Sequence, residues 1–120
     1  MKKSLYCFCL LSLLNACELS KNPQLIIGKW QGAEWLVNGR PSANEATATQ
    51  FTFTDKGEYS YTNSGSIEKG TYKIDHDQLF TTPANETEIM VKILKLTSDS
   101  LVFYMNRSGQ AETLTLLKVK

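Results

Sequence analysis

From Leu25 onward this 120-residue chain repeats one pattern: apolar side chains at every second position, broken at short intervals by turn-forming residues. Phe51 and Phe53 alternate with Gln50, Thr52 and Thr54. Tyr59 and Tyr61 share a face, as do Gly70, Tyr72 and Ile74, and then Leu101, Phe103 and Met105. Neighbouring side chains in a strand project to opposite sides, so this alternation specifies ribbons with one dry face and one wet face. Asp55-Lys56-Gly57, Asn63-Ser64-Gly65-Ser66, Asp75-His76-Asp77, Pro83-Ala84-Asn85 and Ser98-Asp99 supply short connections. Connections of this length join consecutive strands antiparallel. The segments fall at about 25–37, 49–54, 58–62, 67–74, 78–82, 88–97, 101–105 and 112–119. Eight short strands in one small domain predict an all-β, antiparallel up-and-down meander over residues 25–120. Such a meander closes into a barrel because closure removes exposed edges.

Two segments change phase partway. Trp30 and Trp35 are five residues apart and would face opposite sides of a regular strand. A bulge at Gly32-Ala33 returns both indoles to the interior. In the sixth segment Ile89, Val91 and Ile93 share a face before the pattern moves to Leu94 and Leu96. That shift predicts a second bulge, of the kind small barrels use at their corners. Residues 38–46, with Asn38-Gly39 and Pro41, form the longest turn-rich stretch and read as a loop.

The first 24 residues follow other rules. Lys2 and Lys3 precede an apolar run from Leu5 to Leu14. The run has the length of a signal-peptide core and falls short of the ~20 residues a bilayer span needs. Leu14-Asn15-Ala16-Cys17 then resembles a bacterial lipobox. The small Ala16 suits the peptidase subsite, and only a thiol can take a diacylglycerol thioether. Residues 1–16 are therefore expected to be a cleaved lipoprotein signal peptide, Cys17 the lipidated residue, and 17–24 a polar tether. Each buried methylene contributes ~0.8 kcal/mol, so two or three acyl chains make an almost permanent membrane anchor. The expected location is the bacterial cell envelope, at the outer membrane.

A formal net charge of +1, scattered along the chain, provides no basic field for nucleic acid. His76, the only histidine, sits between Asp75 and Asp77 in a predicted tight turn, where carboxylates cap backbone amides. Glu34, Glu58 and Glu68 are assigned to the wet faces of strands. No cysteine follows Cys17 and no second histidine is present, so a transition-metal ligand set is lacking. No metal, cofactor or catalytic residue is assigned, and the chain reads as a non-enzyme. The dry faces gather Phe51, Phe53, Tyr59, Tyr61, Tyr72, Phe103 and Met105, with Trp35 at the mouth. Such a set either fills a core or lines a pocket, and tyrosine hydroxyls can orient a ligand there.

Gly28-Lys29-Trp30 at the start of the first strand resembles the opening motif of lipocalin and lipocalin-like barrels. The likeness extends through Phe51-Thr52-Phe53, Gly70-Thr71-Tyr72-Lys73-Ile74 and Leu94-Lys95-Leu96-Thr97 to the last strand. The chain is similar to short lipocalin-like lipoproteins of Gram-negative bacteria. The resemblance implies that Trp30 plugs the closed end of the barrel and that a basic residue of the last strand, here Lys118 with Lys120 as the fallback, lies across it. Arginine is usual at that place. It also implies that the loop after Trp35 lies over the open end. The function implied is non-catalytic binding of a small apolar ligand inside the barrel. The rival reading is an envelope protein-interaction or inhibitor module with a solid core.

Overall fold

The computed structural model describes residues 22–43 and 45–120. The assigned signal peptide, Cys17 and tether residues 17–21 lie outside the described residues. The alternating segments form strands β1 (Gly28–Val37), β2 (Arg40–Pro41), β3 (Thr49–Phe53), β4 (Glu58–Asn63) and β5 (Ser66–Asp75). They continue as β6 (Gln78–Pro83), β7 (Ile89–Leu96), β8 (Ser100–Arg107) and β9 (Gln110–Lys118). From β3 to β9 each strand pairs antiparallel with the next, and β1 pairs with both β3 and β9. Eight strands thereby close a barrel, and the two-residue β2 forms a hairpin with the end of β1. Closure hydrogen-bonds what would otherwise be the free edges of β1 and β9.

Both phase breaks are bulges. On β1 the register with β9 shifts between Gly32 and Glu34, leaving Ala33 as the extra residue. Trp30 and Trp35 therefore both face inward, at 0% and 7% exposure. On β7 the register with β8 shifts between Ile93 and Lys95. Ile93 and Leu96 are buried, while the extra residue, Leu94, points outward rather than joining Leu96. Leu94 is an exception to its segment's inward set because a bulged residue has no place on either ladder face.

The first predicted strand begins too early. Pro23–Ile26 is a 3-10 turn, and only Gly28 starts the ladder. Proline at the first position of the turn has no N–H to lose and a φ already suited to it. The turn tucks Ile26 under the barrel, where it is buried and its carbonyl accepts a 2.7 Å hydrogen bond from Trp30 Nε1. Lys118 Nζ lies 4.6 Å from the Trp30 ring centroid and donates to the Ile27 carbonyl at 2.8 Å. Gly28, at φ +131°, carries the chain from the turn into β1, and a Cβ there would land 2.5 Å from Lys118 Cε.

The predicted loop at 38–46 is partly structured. Leu36 pairs with Pro41 and Val37 with Arg40. A second 3-10 turn, Ala46–Ala48, follows. It rests against Gly32 so closely that a Cβ at that position would overlap the Ala46 carbonyl.

Candidate functional site

The barrel interior divides into a filled half and a hollow half. In the filled half Trp30, Phe53, Leu101 and Leu116 are at most 1% exposed and pack with Ile26, Leu79 and Leu96. Phe53 stacks on Phe51 at 5.6 Å and meets Tyr72 edge-on at 5.0 Å. The Tyr72 hydroxyl donates to the Thr54 carbonyl at 2.6 Å. Phe53 is thus a packing residue, and the expectation that it lines a pocket is corrected. Tyr72 packs on Phe53 and edges a separate surface pocket with Pro23, Ile27 and Asp55 rather than the barrel cavity. Phe53 sits toward the Trp30 end, where β1 pairs it with Gly28 and the Phe51 and Tyr72 rings cover it.

The opposite half encloses a cavity of about 250 Å³. Six of the residues predicted for ligand binding line it: Trp35, Phe51, Tyr59, Tyr61, Phe103 and Met105. Leu79, Ile89, Val91 and Leu114 complete the apolar wall, and the Thr81 hydroxyl adds a polar group beside Tyr59. Phe51 stacks on Tyr61 at 4.6 Å and meets Phe103 edge-on at 5.5 Å. None of residues 38–43 or 45–48 lines this cavity, so the loop after Trp35 is no lid over it. The second 3-10 turn holds that segment against β1 instead.

Two charged clusters also face the cavity, and both lay outside the predicted site. Glu68 and Arg107 are part of the lining. The Tyr59 hydroxyl donates to Glu68 Oε2 at 2.5 Å. Burial, followed by the Glu68 carboxylate, raises the Tyr59 pKa far above its usual range. Burial likewise raises Tyr61, whose hydroxyl accepts from Asn63 Nδ2 at 3.1 Å. Arg107 binds Glu112 through two hydrogen bonds, Nε to Oε2 at 2.9 Å and Nη2 to Oε1 at 3.0 Å. Trp35 Nε1 donates to the same Oε1 at 3.0 Å. Glu112 is 5% exposed, yet the hydrogen bond from Arg107 outweighs burial and holds its carboxyl below the usual range. A paired guanidinium and an indole N–H together replace the water that an ionised carboxylate gives up.

The assignment of Glu68 to a wet face is therefore wrong, whereas Glu34 and Glu58 are exposed. Alternation carried the signal for all three missed residues. Glu68 precedes Gly70, Tyr72 and Ile74 at two-residue spacing, Arg107 follows Met105, and Glu112 precedes Leu114. Glu68 was assigned outward on its charge although its spacing places it inward, Arg107 falls in a turn-rich stretch, and Glu112 opens the last strand in phase with Leu114. His76 lies in an exposed turn, with Nδ1 2.7 Å from Asp75 Oδ1, and does not line the cavity.

A family model described as a lipocalin-like domain matches residues 26–103. The chain belongs to the lipocalin-like domain family. The match ends within β8, and the pairing of β9 with β1 completes the lipocalin-like barrel. A lipocalin-like protein from Bacteroides uniformis superposes with a TM-score of 0.61 at 15% identity, over 79% of this chain and 99% of that one. An uncharacterized protein from Bacteroides eggerthii gives 0.60 at 18% identity, over 78% and 98%. Among curated proteins nothing matches. Lipocalin-like barrels commonly bind small hydrophobic ligands, and their families are usually non-catalytic.

Proposed function

We propose that this protein is a membrane-anchored, non-catalytic binding protein that takes a small, mostly apolar ligand into the open half of its barrel. One observation carries the reading: the cavity between the strand ends is walled by Phe51, Tyr61, Phe103 and Met105 and edged by a few convergent polar groups. That mixture is the usual composition of a small-molecule site. Its volume of about 250 Å³ lies just under the ~300–1,000 Å³ of drug-sized pockets, which restricts the ligand to something small. At about 30 Å³ per water-sized group, the space suits roughly eight non-hydrogen atoms. The membrane anchor rests on Leu14-Asn15-Ala16-Cys17, and the outer membrane is the proposed address.

Native mass spectrometry of protein purified from its own cells tests the binding reading. A bound molecule of matching size, lost when Phe103 is changed to Trp to fill the space, is the expected result. An empty barrel that also ignores small apolar probes would overturn it. Metabolic labelling with palmitate tests the anchor: label is expected in the wild type and absent in Cys17→Ser, and an unlabelled wild type removes the anchor.

A second reading draws on Ile67 and Ile89, which are 65% and 50% exposed near the open end. Large exposed aliphatics at a rim suit contact with another envelope protein. A pull-down that depends on Ile67 and Ile89 while the cavity stays empty would favour it.

A further inference from the structure

We propose that the cavity of this barrel selects a small amphipathic organic cation, because an unpaired inward carboxylate, Glu68, stands among aromatic walls while the only cation at the site, Arg107, is already bound to Glu112. The inference rests on the binding reading above and adds the charge of the ligand.

The charges at the cavity do not cancel. Glu68 lines the cavity, Glu112 is buried behind the lining residues Trp35 and Arg107, and Arg107 alone opposes the two carboxylates. Arg107 spends two hydrogen bonds on Glu112, whose Oε1 also accepts from Trp35. Glu68 forms no ion pair among the described residues, and its recorded partner is the neutral Tyr59 hydroxyl. One negative charge is therefore left over, half-buried beside the Tyr59 hydroxyl in the cavity lining.

Depth decides which charge a ligand meets more strongly. The Arg107 side chain is 60% exposed, so water screens its remaining N–H groups. Glu68 is only partly exposed and hydrogen-bonded to a buried phenol. A charge pair near a protein surface interacts about fourfold more strongly than one in bulk water. The walls add to this preference, since the faces of aromatic rings carry negative quadrupole charge and attract cations. An alkylammonium thus fits both halves of the site, with its tail among Phe51, Phe103 and Met105 and its head toward Glu68.

Three probes of equal tail length separate the possibilities: n-hexylamine, 1-hexanol and hexanoate, titrated into the intact protein and followed by backbone NMR shifts. Hexylamine is expected to bind at least tenfold tighter than hexanol, and hexanoate weaker than either. In Glu68→Gln, which keeps an acceptor for Tyr59, the amine should fall to the affinity of the alcohol while the alcohol is unchanged. The alcohol thereby reports that the variant is folded with its cavity intact. Equal affinity of amine and alcohol in the wild type, or tighter binding of hexanoate, would overturn the charge assignment and leave the binding reading standing. Binding of none of the three would overturn both. Should Glu68→Gln lose the alcohol as well, Glu68→Asp decides: an amine preference retained there supports the proposal, and one lost refutes it.

Discussion

Single side chains carry unequal weight here, and burial decides which. Trp30 is fully buried, with its indole N–H bonded to Ile26 and its ring under Lys118. Trp30→Ala should destabilise by about 3–5 kcal/mol in urea unfolding, the range for large aromatic truncations. Lys118→Met, which keeps the stem but loses the charge, should cost about 0.5–2 kcal/mol, the worth of the cation over the ring. Thr49 offers the opposite case: its Oγ1 is buried with no hydrogen-bond partner. Thr49→Val replaces an unsatisfied hydroxyl by a methyl of similar shape and should stabilise by about 1 kcal/mol in the same assay. Glu112 sets a pH dependence. Its folded pKa lies below the ordinary value of 4.5, so its contribution is present above that value and disappears as pH falls through the folded pKa. The stability gap between wild type and Glu112→Gln should therefore narrow as urea titrations are moved from pH 6 to pH 3. A gap that stayed constant would mean that the Arg107–Glu112 contact does not hold the charge.

At the scale of elements, the bulges and the two 3-10 turns do what regular strands cannot. A strand with period two cannot bring residues five apart to one face, and Ala33 supplies the extra step that turns Trp35 inward beside Leu114. Leu94 performs the same shift on β7, so that Ile93 and Leu96 both reach the interior. The second 3-10 turn depends on close approach at Gly32. Gly32→Ala would drive a methyl into the Ala46 backbone, which cannot yield as a flexible side chain would. A loss of about 1–3 kcal/mol is expected, as for other overpacked sites. Amide exchange in residues 45–48 should accelerate in this variant more than exchange at Trp30.

Over the whole molecule, the barrel has one dry, filled end and one hollow end. Trp30, Leu101 and Leu116 have essentially no exposure at the first, whereas the cavity occupies the second. Local opening follows local packing density. Hydrogen exchange should thus be slowest where β1 meets β9 near Trp30 and Lys118, and faster around Tyr61, Ile89 and Met105. A ligand in the cavity should slow the open end and leave the closed end unchanged. Uniform protection along the barrel would contradict this division.

Period-two alternation, turn chemistry and two phase breaks were enough to specify a closed antiparallel meander, with Trp30 and Trp35 inside it. They state which face a residue occupies and nothing about its depth along the barrel. Phe53 and Phe51 share one strand face, yet the first is packing and the second lines a cavity. Depth depends on how β1 registers with β9, a contact between residues some 80 positions apart. The same closure brings Trp35 onto Glu112, and the β4–β5 register, which pairs Tyr59 with Gly70 and Tyr61 with Glu68, lets the Tyr59 hydroxyl reach diagonally to Glu68. The spacing of Glu68 and Glu112 pointed both inward; only the partners that tertiary structure supplied made an inward carboxylate tolerable.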